Sequence, residues 1–174
     1  MQGAFRLHEA HIEALGAEYV EVVNRESMAS VDALILPGGE SGVMLKLLDQ
    51  LGLVDDLAQT LRSKPVWGIC AGAILMAETV TNPVQRSFGA IAVQVERNAY
   101  GRQRESTEAL VDGYLVSYIR APRIATVGPS AQVKAWRDND PVWVEAGRLM
   151  VTTFHPETNP SVPSPWHRRI AALA

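Results

Sequence analysis

Pro65-Val66-Trp67-Gly68-Ile69-Cys70-Ala71-Gly72-Ala73-Ile74-Leu75-Met76-Ala77-Glu78-Thr79 joins a short apolar run to a helix-forming one, with a cysteine at the junction. Residues 65–69 read as a buried strand and 71–79 as a helix, so Cys70 falls in the turn between them. Gly68-Ile69-Cys70-Ala71-Gly72 is a G-x-C-x-G sequence. A sharp strand-to-helix turn strains its central residue and leaves no room for side chains two positions away on either side, which is the arrangement of a nucleophile elbow. The thiol then points out of the carboxyl edge of a sheet. There the positive end of the following helix favours thiolate, and the Ala71 N–H is free to donate to an oxyanion. The bland alternative, a buried small hydrophobe, needs neither the flanking glycines nor the junction position.

Upstream, Phe5, Ala10, Ile12 and Leu15 recur at roughly helical spacing before Gly16, so residues 4–15 read as a helix with a left-handed cap. Tyr19-Val20-Glu21-Val22-Val23 and Ala33-Leu34-Ile35-Leu36 read as strands, the second fully buried and stopped by Pro37-Gly38-Gly39. Two short amphipathic helices broken near Gly52 fill 41–62. This alternation predicts an α/β fold in three layers, a mostly parallel central sheet with helices on both faces. The second half changes character: 90–95, 114–119, 132–136, 142–144 and 149–151 are strand-like with short connections, which predicts an antiparallel extension. Trp166 to Leu173 repeats as a helix packed on the sheet, with Ser164 as N-cap and Pro165 at its first position. No repeat or long structureless tract divides the chain, so residues 1–174 form one domain.

Of the 174 residues 47% are hydrophobic and 20% charged, the balance of a globular chain. Sixteen Lys+Arg against 19 Asp+Glu leave a net charge of -3, with no broad cationic surface for nucleic acid. One cysteine precludes an internal disulfide, and no Cys/His cluster has structural-zinc spacing, so neither metal nor cofactor is expected. No apolar run approaches a membrane span and no signal-peptide core follows Met1; a cytoplasmic protein with no membrane partner is expected.

A nucleophilic thiol needs a base. His8 and His11 on the first helix and His167 near the last read as surface or core-edge residues. His155 instead follows the apolar strand 149–154 and precedes Pro156-Glu157, at a strand end where α/β enzymes place reactive groups. Glu157, two residues on, falls on the same side of an extended segment, where it can orient one ring nitrogen and leave the other for the thiol. Pro37-Gly38-Gly39-Glu40-Ser41 also joins a buried strand to a helix, and its glycines let backbone N–H groups approach a ligand. That suits an oxyanion hole or carboxylate pocket at Gly38 and Gly39; the alternative is a β-turn with a helix cap at Ser41.

Together with Glu96-Arg97-Asn98-Ala99-Tyr100-Gly101-Arg102-Gln103 and Ile119-Arg120-Ala121-Pro122, these blocks resemble, in order, the glutaminase subunit of pyridoxal 5'-phosphate synthase. The P-G-G-E-S, G-x-C-x-G and F-H-P-E blocks are similar to class I (triad) glutamine amidotransferases generally, whereas E-R-N-A-x-G-R-Q and I-R-A-P are similar to that subunit in particular. The resemblance spans residues 1 to about 157. It implies a glutamine amidotransferase-like, flavodoxin-like fold, hydrolysis of L-glutamine, and delivery of ammonia to a separate barrel-shaped synthase subunit. It puts the nucleophile on Cys70, the base on His155, the orienting carboxylate on Glu157, and glutamine contacts on Gly39, Glu40, Ser41, Arg97, Ile119 and Arg120. The two arginines suit an α-carboxylate, being permanently charged and bidentate.

Three departures accompany it. The short apolar strand that precedes L-Q-G in that family is missing before Met1-Gln2-Gly3, which leaves a slot in the sheet and an expectation that the native product begins upstream of Met1. Gly42 stands where the family has Thr, and the tail after Glu157 is proline-rich. The alternatives are the glutaminase of another pathway, such as imidazole glycerol phosphate synthase, and a catalytically weak binding or regulatory member of the fold.

Overall fold

Val66, Trp67, Gly68 and Ile69 are buried without exception, as a strand covered on both faces must be. The computed structural model describes residues 3–99 and 106–174; Met1, Gln2 and positions 100–103 of the E-R-N-A-x-G-R-Q block lie outside them. A 3-10 turn at Phe5–His8 runs into α1 (Glu9–Glu13), followed by α2 (Arg25–Ser30), β1 (Leu34–Leu36), α3 (Ser41–Gln50), α4 (Val54–Ser63), β2 (Val66–Ile69) and α5 (Ala71–Met76). Strands then dominate: β3 (Ala77–Thr81), β4 (Ile91–Glu96), β5 (Thr107–Val111), β6 (Tyr114–Tyr118), β7 (Arg123–Val127), β8 (Gln132–Arg137), β9 (Asp140–Ala146) and β10 (Leu149–Thr152). A 3-10 turn at Pro156–Thr158 and α6 (Pro165–Ala171) close the chain.

The principal sheet has the order β1-β2-β10-β9-β8. β1 and β10 flank β2 in parallel, and β9 runs antiparallel to β10 and β8, so all but β9 point the same way. The antiparallel extension comprises the β5–β6 hairpin and a β3-β4-β7 sheet, whose β3–β4 pair is parallel.

Alternation along the central strands divides the interior. Leu34, Leu36, Val66 and Val151 join Met28, Leu57, Leu61 and Ala73 of the helices on one face. Trp67, Ile69 and Met150 join Phe154, Trp166 and Ile170 on the other. Period-two burial on both faces of one sheet makes the three layers. The Ser164 side chain accepts from the His167 N–H as the cap of α6, and that helix plants the fully buried Trp166 4.7 Å from the Phe154 ring. Because Phe154 adjoins His155, the packing of α6 bears directly on the site.

Several expectations need correction. Tyr19–Val23 is not a strand: a strand requires a neighbour to hydrogen-bond, and this segment is separated from β1 by a groove of about 390 Å³ that both line. For the same reason β1 is an edge strand and Ile35, which faces the groove, is only half-buried rather than fully so. The helix after Cys70 ends at Met76, not Thr79, because the β-branched Thr79-Val80-Thr81 pairs with β4 instead. The first helix is a 3-10 turn plus five α residues that stop at Glu13. β5 and β7 lie outside the strand-like stretches read from the sequence, and cross-strand partners fix them.

Candidate active site

Cys70 sits between β2 and α5 with φ +48° and ψ −98°, a conformation that costs a non-glycine residue on the order of 1–3 kcal/mol and is held only by what surrounds it. Its N–H donates to the Thr152 carbonyl of β10 at 2.8 Å, and its carbonyl accepts from Ile74 of α5 at 3.2 Å. The flanking glycines are steric necessities. A Cβ on Gly68 would stand 2.7 Å from the Gly72 backbone, and one on Gly72 would collide with the Leu36 carbonyl of β1. The elbow therefore presses α5 directly onto two parallel strands. Its thiol lies 3.9 Å from the Ile119 carbonyl.

His155 is fixed from two sides. Its backbone pairs with Ser117 of the β5–β6 hairpin, His155 N–H donating at 2.8 Å. Its Nδ1 lies 2.8 Å from Glu157 Oε1. The segment is a 3-10 turn rather than the extended stretch expected, so the carboxylate reaches back over one turn instead of along a strand face. Gly38 lies against the imidazole, since a Cβ there would collide with His155 Cε1. Burial alone lowers the His155 pKa, but hydrogen bonding and charge from Cys70 and then Glu157 outweigh it and raise the pKa well above the usual value. With Nδ1 engaged, Nε2 is the nitrogen left for Cys70. It is buried and forms no hydrogen bond of normal geometry, a looseness common in unliganded sites.

The Gly38–Ser41 segment forms the wall opposite. The Gly38 carbonyl accepts from Ala4 at 3.1 Å. Glu40, not Ser41, is the cap residue of α3, and its carbonyl takes the Val43 and Met44 N–H groups. Ser41 is the first helical residue, buried, with its hydroxyl donating to Gln85 Oε1 at 2.9 Å; Gln85 gave no sequence signal. A Cβ on Gly42 would meet nothing closer than Gln85 Oε1 at 4.0 Å. Glu40 and Arg120, 80 residues apart, meet in an exposed ion pair. Arg120, at φ +46°, follows the Ile119 that faces the thiol. Ala71 begins α5, where an N–H has no intrahelical partner. Arg97 lies just past β4, its N–H bonded to Thr81 and its Nε buried without a partner. None of the described interactions ties it to Cys70, His155 or Arg120.

The largest surprise is behind Glu157. His8, His11 and His167, expected at the surface or core edge, are all buried and joined to one another: His8 Nδ1 is 2.8 Å from His167 Nε2, and His11 stacks on His167 with centroids 4.2 Å apart. The first and last of them stand 159 positions apart, which hides the cluster from a reading along the chain. Among the described residues no group of three or more His, Cys, Asp or Glu is placed to hold a metal, and no helix is long and apolar enough to cross a membrane.

A strained cysteine elbow, a buried His–Glu pair and this sheet order define a glutamine amidotransferase. A solved crystal structure of glutamine amidotransferase superposes with a TM-score of 0.88 at 36% identity, covering 99% of this chain and 94% of that one. The profile of the SNO glutamine amidotransferase family matches residues 1–162, and the chain belongs to that family. Curated relatives named pyridoxal 5'-phosphate synthase subunit PdxT include that of Solibacter usitatus, 49% identical over 169 residues (90% of this chain, 88% of the relative). Those of Koribacter versatilis, 45% identical (90% and 84%), and Thermotoga maritima, 40% identical (90% and 88%), are similar.

Proposed function

We propose that this chain is the glutaminase subunit of a pyridoxal 5'-phosphate synthase, hydrolysing L-glutamine to L-glutamate and ammonia through Cys70, His155 and Glu157. The observation that carries the reading is the buried 2.8 Å His155–Glu157 pair set beside a cysteine held at positive φ. The Cys70 sulfur attacks the side-chain amide carbon, and the carbonyl oxygen becomes an oxyanion served by N–H groups of Ala71 and the Gly38-Gly39 backbone. His155 Nε2 gives its proton to the amide nitrogen, the C–N bond breaks, and ammonia leaves from a Cys70 thioester. His155, now neutral, takes a proton from water, whose oxygen attacks the thioester; glutamate departs and the thiol is restored.

Glutamine contacts fall on Gly39, Glu40, Ser41, Arg97, Ile119 and Arg120. The exposed Arg120 guanidinium suits the α-carboxylate and the Glu40 carboxylate the α-ammonium, so that the two release one another when the zwitterion enters. Ammonia passes to the barrel-shaped synthase subunit, and glutamine hydrolysis depends on that partner. A glutamine-like chloroketone should alkylate Cys70 and abolish glutamate release, and Cys70→Ala should be inactive with the synthase subunit present. Undiminished turnover by Cys70→Ala would eliminate this mechanism.

A further inference from the structure

The segment that carries His155 and Glu157 is stitched to β6 by side chains. One edge of β6 pairs with β5, Ser117 standing opposite Glu108, and the other meets the chain from His155 to Ser161. Among the described residues, backbone pairing on that second edge is one isolated bridge. The His155 N–H donates to the Ser117 carbonyl at 2.8 Å, while the return bond, from the Ser117 N–H to the His155 carbonyl, is stretched to 3.4 Å. A ladder cannot continue from there, because Pro156 and Pro160 have no N–H to give. Side chains take over. Asn159 Nδ2 donates to the Leu115 carbonyl at 2.9 Å, and the Tyr114 hydroxyl donates to the Ser161 carbonyl. Thr158 Oγ1 lies 2.9 Å from the His155 carbonyl and 3.0 Å from Ser117 Oγ.

Valence sets the direction of the two hydroxyls. A carbonyl only accepts, so the Thr158 proton goes to the His155 oxygen. Thr158 Oγ1 then has no proton left for Ser117, and the Ser117 hydroxyl donates to it. The pair forms a relay from β6 through Thr158 to the backbone of His155. It reaches that backbone at the atom the bridge holds least closely, the carbonyl with the 3.4 Å bond. A peptide free to tilt there would carry the imidazole with it. β6 is the fixed side of the contact, since β5 pairs it along all five of its residues. Loss of the Thr158 hydroxyl therefore frees the turn and not the strand, and the Ile119 carbonyl that follows β6, 3.9 Å from the thiol, keeps its place.

We infer that Thr158 is a positioning residue for glutamine hydrolysis: its hydroxyl, held in turn by Ser117, clamps the His155 peptide to β6 and keeps the imidazole in register with the thiol that faces Ile119 at the end of the same strand. This rests on the triad reading above. Glu157 fixes the ring from its Nδ1 side, and Thr158 fixes the backbone from which the ring hangs, so both the direction and the origin of the imidazole are set. The Thr158 hydroxyl is spent on a backbone carbonyl, and the strand leading to Ile119 and Arg120 is held by β5. Its effect should therefore fall on kcat and leave glutamine binding alone.

The test uses the full chain with the synthase subunit. Thr158→Val keeps the shape and removes the donor; it should lower kcat about fivefold, with KM for glutamine within about twofold, on the scale of one neutral hydrogen bond. Thr158→Ser, which keeps the hydroxyl, should recover most of the loss. A wild-type kcat in Thr158→Val overturns the inference, and so does a Thr158→Ser as slow as Thr158→Val. Alkylation of Cys70 by the glutamine-like chloroketone separates positioning from general damage. Thr158→Val should slow it while His155 is present and change nothing in a His155→Ala background, where no imidazole is left to position. Equal slowing in that background marks a structural role and overturns the inference. Exchange of the His155 amide hydrogen, which lies in the bridge, should quicken about fivefold in Thr158→Val; an unchanged rate means that the hydroxyl does not hold the turn. Should His155→Ala alkylate as fast as wild type, the triad reading fails separately, and the exchange rate still decides what Thr158 holds.

Discussion

His155 Nδ1 and Glu157 Oε1 lie 2.8 Å apart in side chains only 7% and 0% exposed. A charge pair so sealed from water is strong while intact and costly when one member is removed. In the proposed mechanism the carboxylate steers the imidazole and stabilises its protonated form, whereas the imidazole performs the proton transfers. Glu157→Ala should therefore reduce kcat for glutamine about a hundredfold, within the usual range for a general acid–base group, and leave KM nearly unchanged, whereas Cys70→Ala should abolish turnover. Steady-state glutamate release with the synthase subunit present checks both.

Gly72→Ala should damage fold and activity together. The added methyl would overlap the Leu36 carbonyl, which belongs to a hydrogen-bonded strand and cannot move cheaply. Overpacking of a well-ordered core costs about 1–3 kcal/mol and occasionally more, and relief by lifting α5 would displace Cys70. A lower unfolding midpoint combined with slow alkylation of Cys70 is expected; an unchanged midpoint would mean that β1 yields readily, consistent with its free edge.

These two residues also mark where the sequence was informative. Gly68, Cys70 and Gly72 alternate within one short stretch of chain, so their steric logic is local and legible, as are β2, β10 and the capped α6. The His155–Glu157 contact is legible even though the segment is a 3-10 turn and not extended, because both conformations bring a carboxylate two residues away within reach of the ring. What stayed hidden depends on long-range meetings. His8 and His167 look like ordinary polar positions until the fold joins the first turn to the last helix, and Gln85 acquires a role only through Ser41. Tyr19–Val23 has the composition of a strand, but composition cannot supply the neighbour that a strand needs.

Arg120→Ala should separate binding from stability. The Arg120–Glu40 pair is 71% and 50% exposed, and such surface pairs contribute roughly 0–1 kcal/mol. Its loss should leave the unfolding midpoint almost where it was. If the guanidinium receives the glutamine α-carboxylate, KM should rise about tenfold or more with a smaller change in kcat, since a charge-assisted contact worth about 1.5–3 kcal/mol disappears. An unaltered KM would remove Arg120 from the substrate site.

Acid should destabilise the protein through the buried histidines. In the unfolded chain His8 and His167 titrate near 6.5, whereas burial lowers them to about 4 and about 2 in the folded one. The unfolded state therefore binds more protons as soon as the pH drops below about 6.5. The stability that the neutral rings permit is complete above that value and is lost progressively as pH falls toward the folded values, at roughly 1.4 kcal/mol per pH unit for each group. Denaturant unfolding between pH 7 and 5 should show this slope. A variant in which His167 is replaced by Gln should show a shallower one; equal slopes would place the acid sensitivity on carboxylates instead.

The groove beside β1 leads to the last prediction. Among the described residues β1 has a ladder partner on one edge only, β2, and its other edge opens onto a groove of about 390 Å³ lined by Val20, Val22, Val31, Leu34 and Ile35 among others. Ala4 N–H already bonds the Gly38 carbonyl, two residues beyond the end of β1, so a segment entering Gly3 from the sheet side would run parallel to Leu34–Leu36. Five Val/Ile-rich residues joined ahead of Met1 should enter the groove as a strand between β1 and the irregular Tyr19–Val23 segment. Each apolar side chain buried there contributes about 1.5–3 kcal/mol, and ordering each backbone residue costs about 1–2 kcal/mol. The ladder hydrogen bonds gained on both edges add about 0.5–1.5 kcal/mol apiece, leaving a net gain of a few kcal/mol. For a domain of this size that corresponds to a midpoint rise of roughly 5–10 °C. A Gly/Ser extension of equal length controls for added chain and should give no rise. If both extensions act alike, the groove does not accept a strand, and the half-buried Ile35 is simply an edge residue facing solvent.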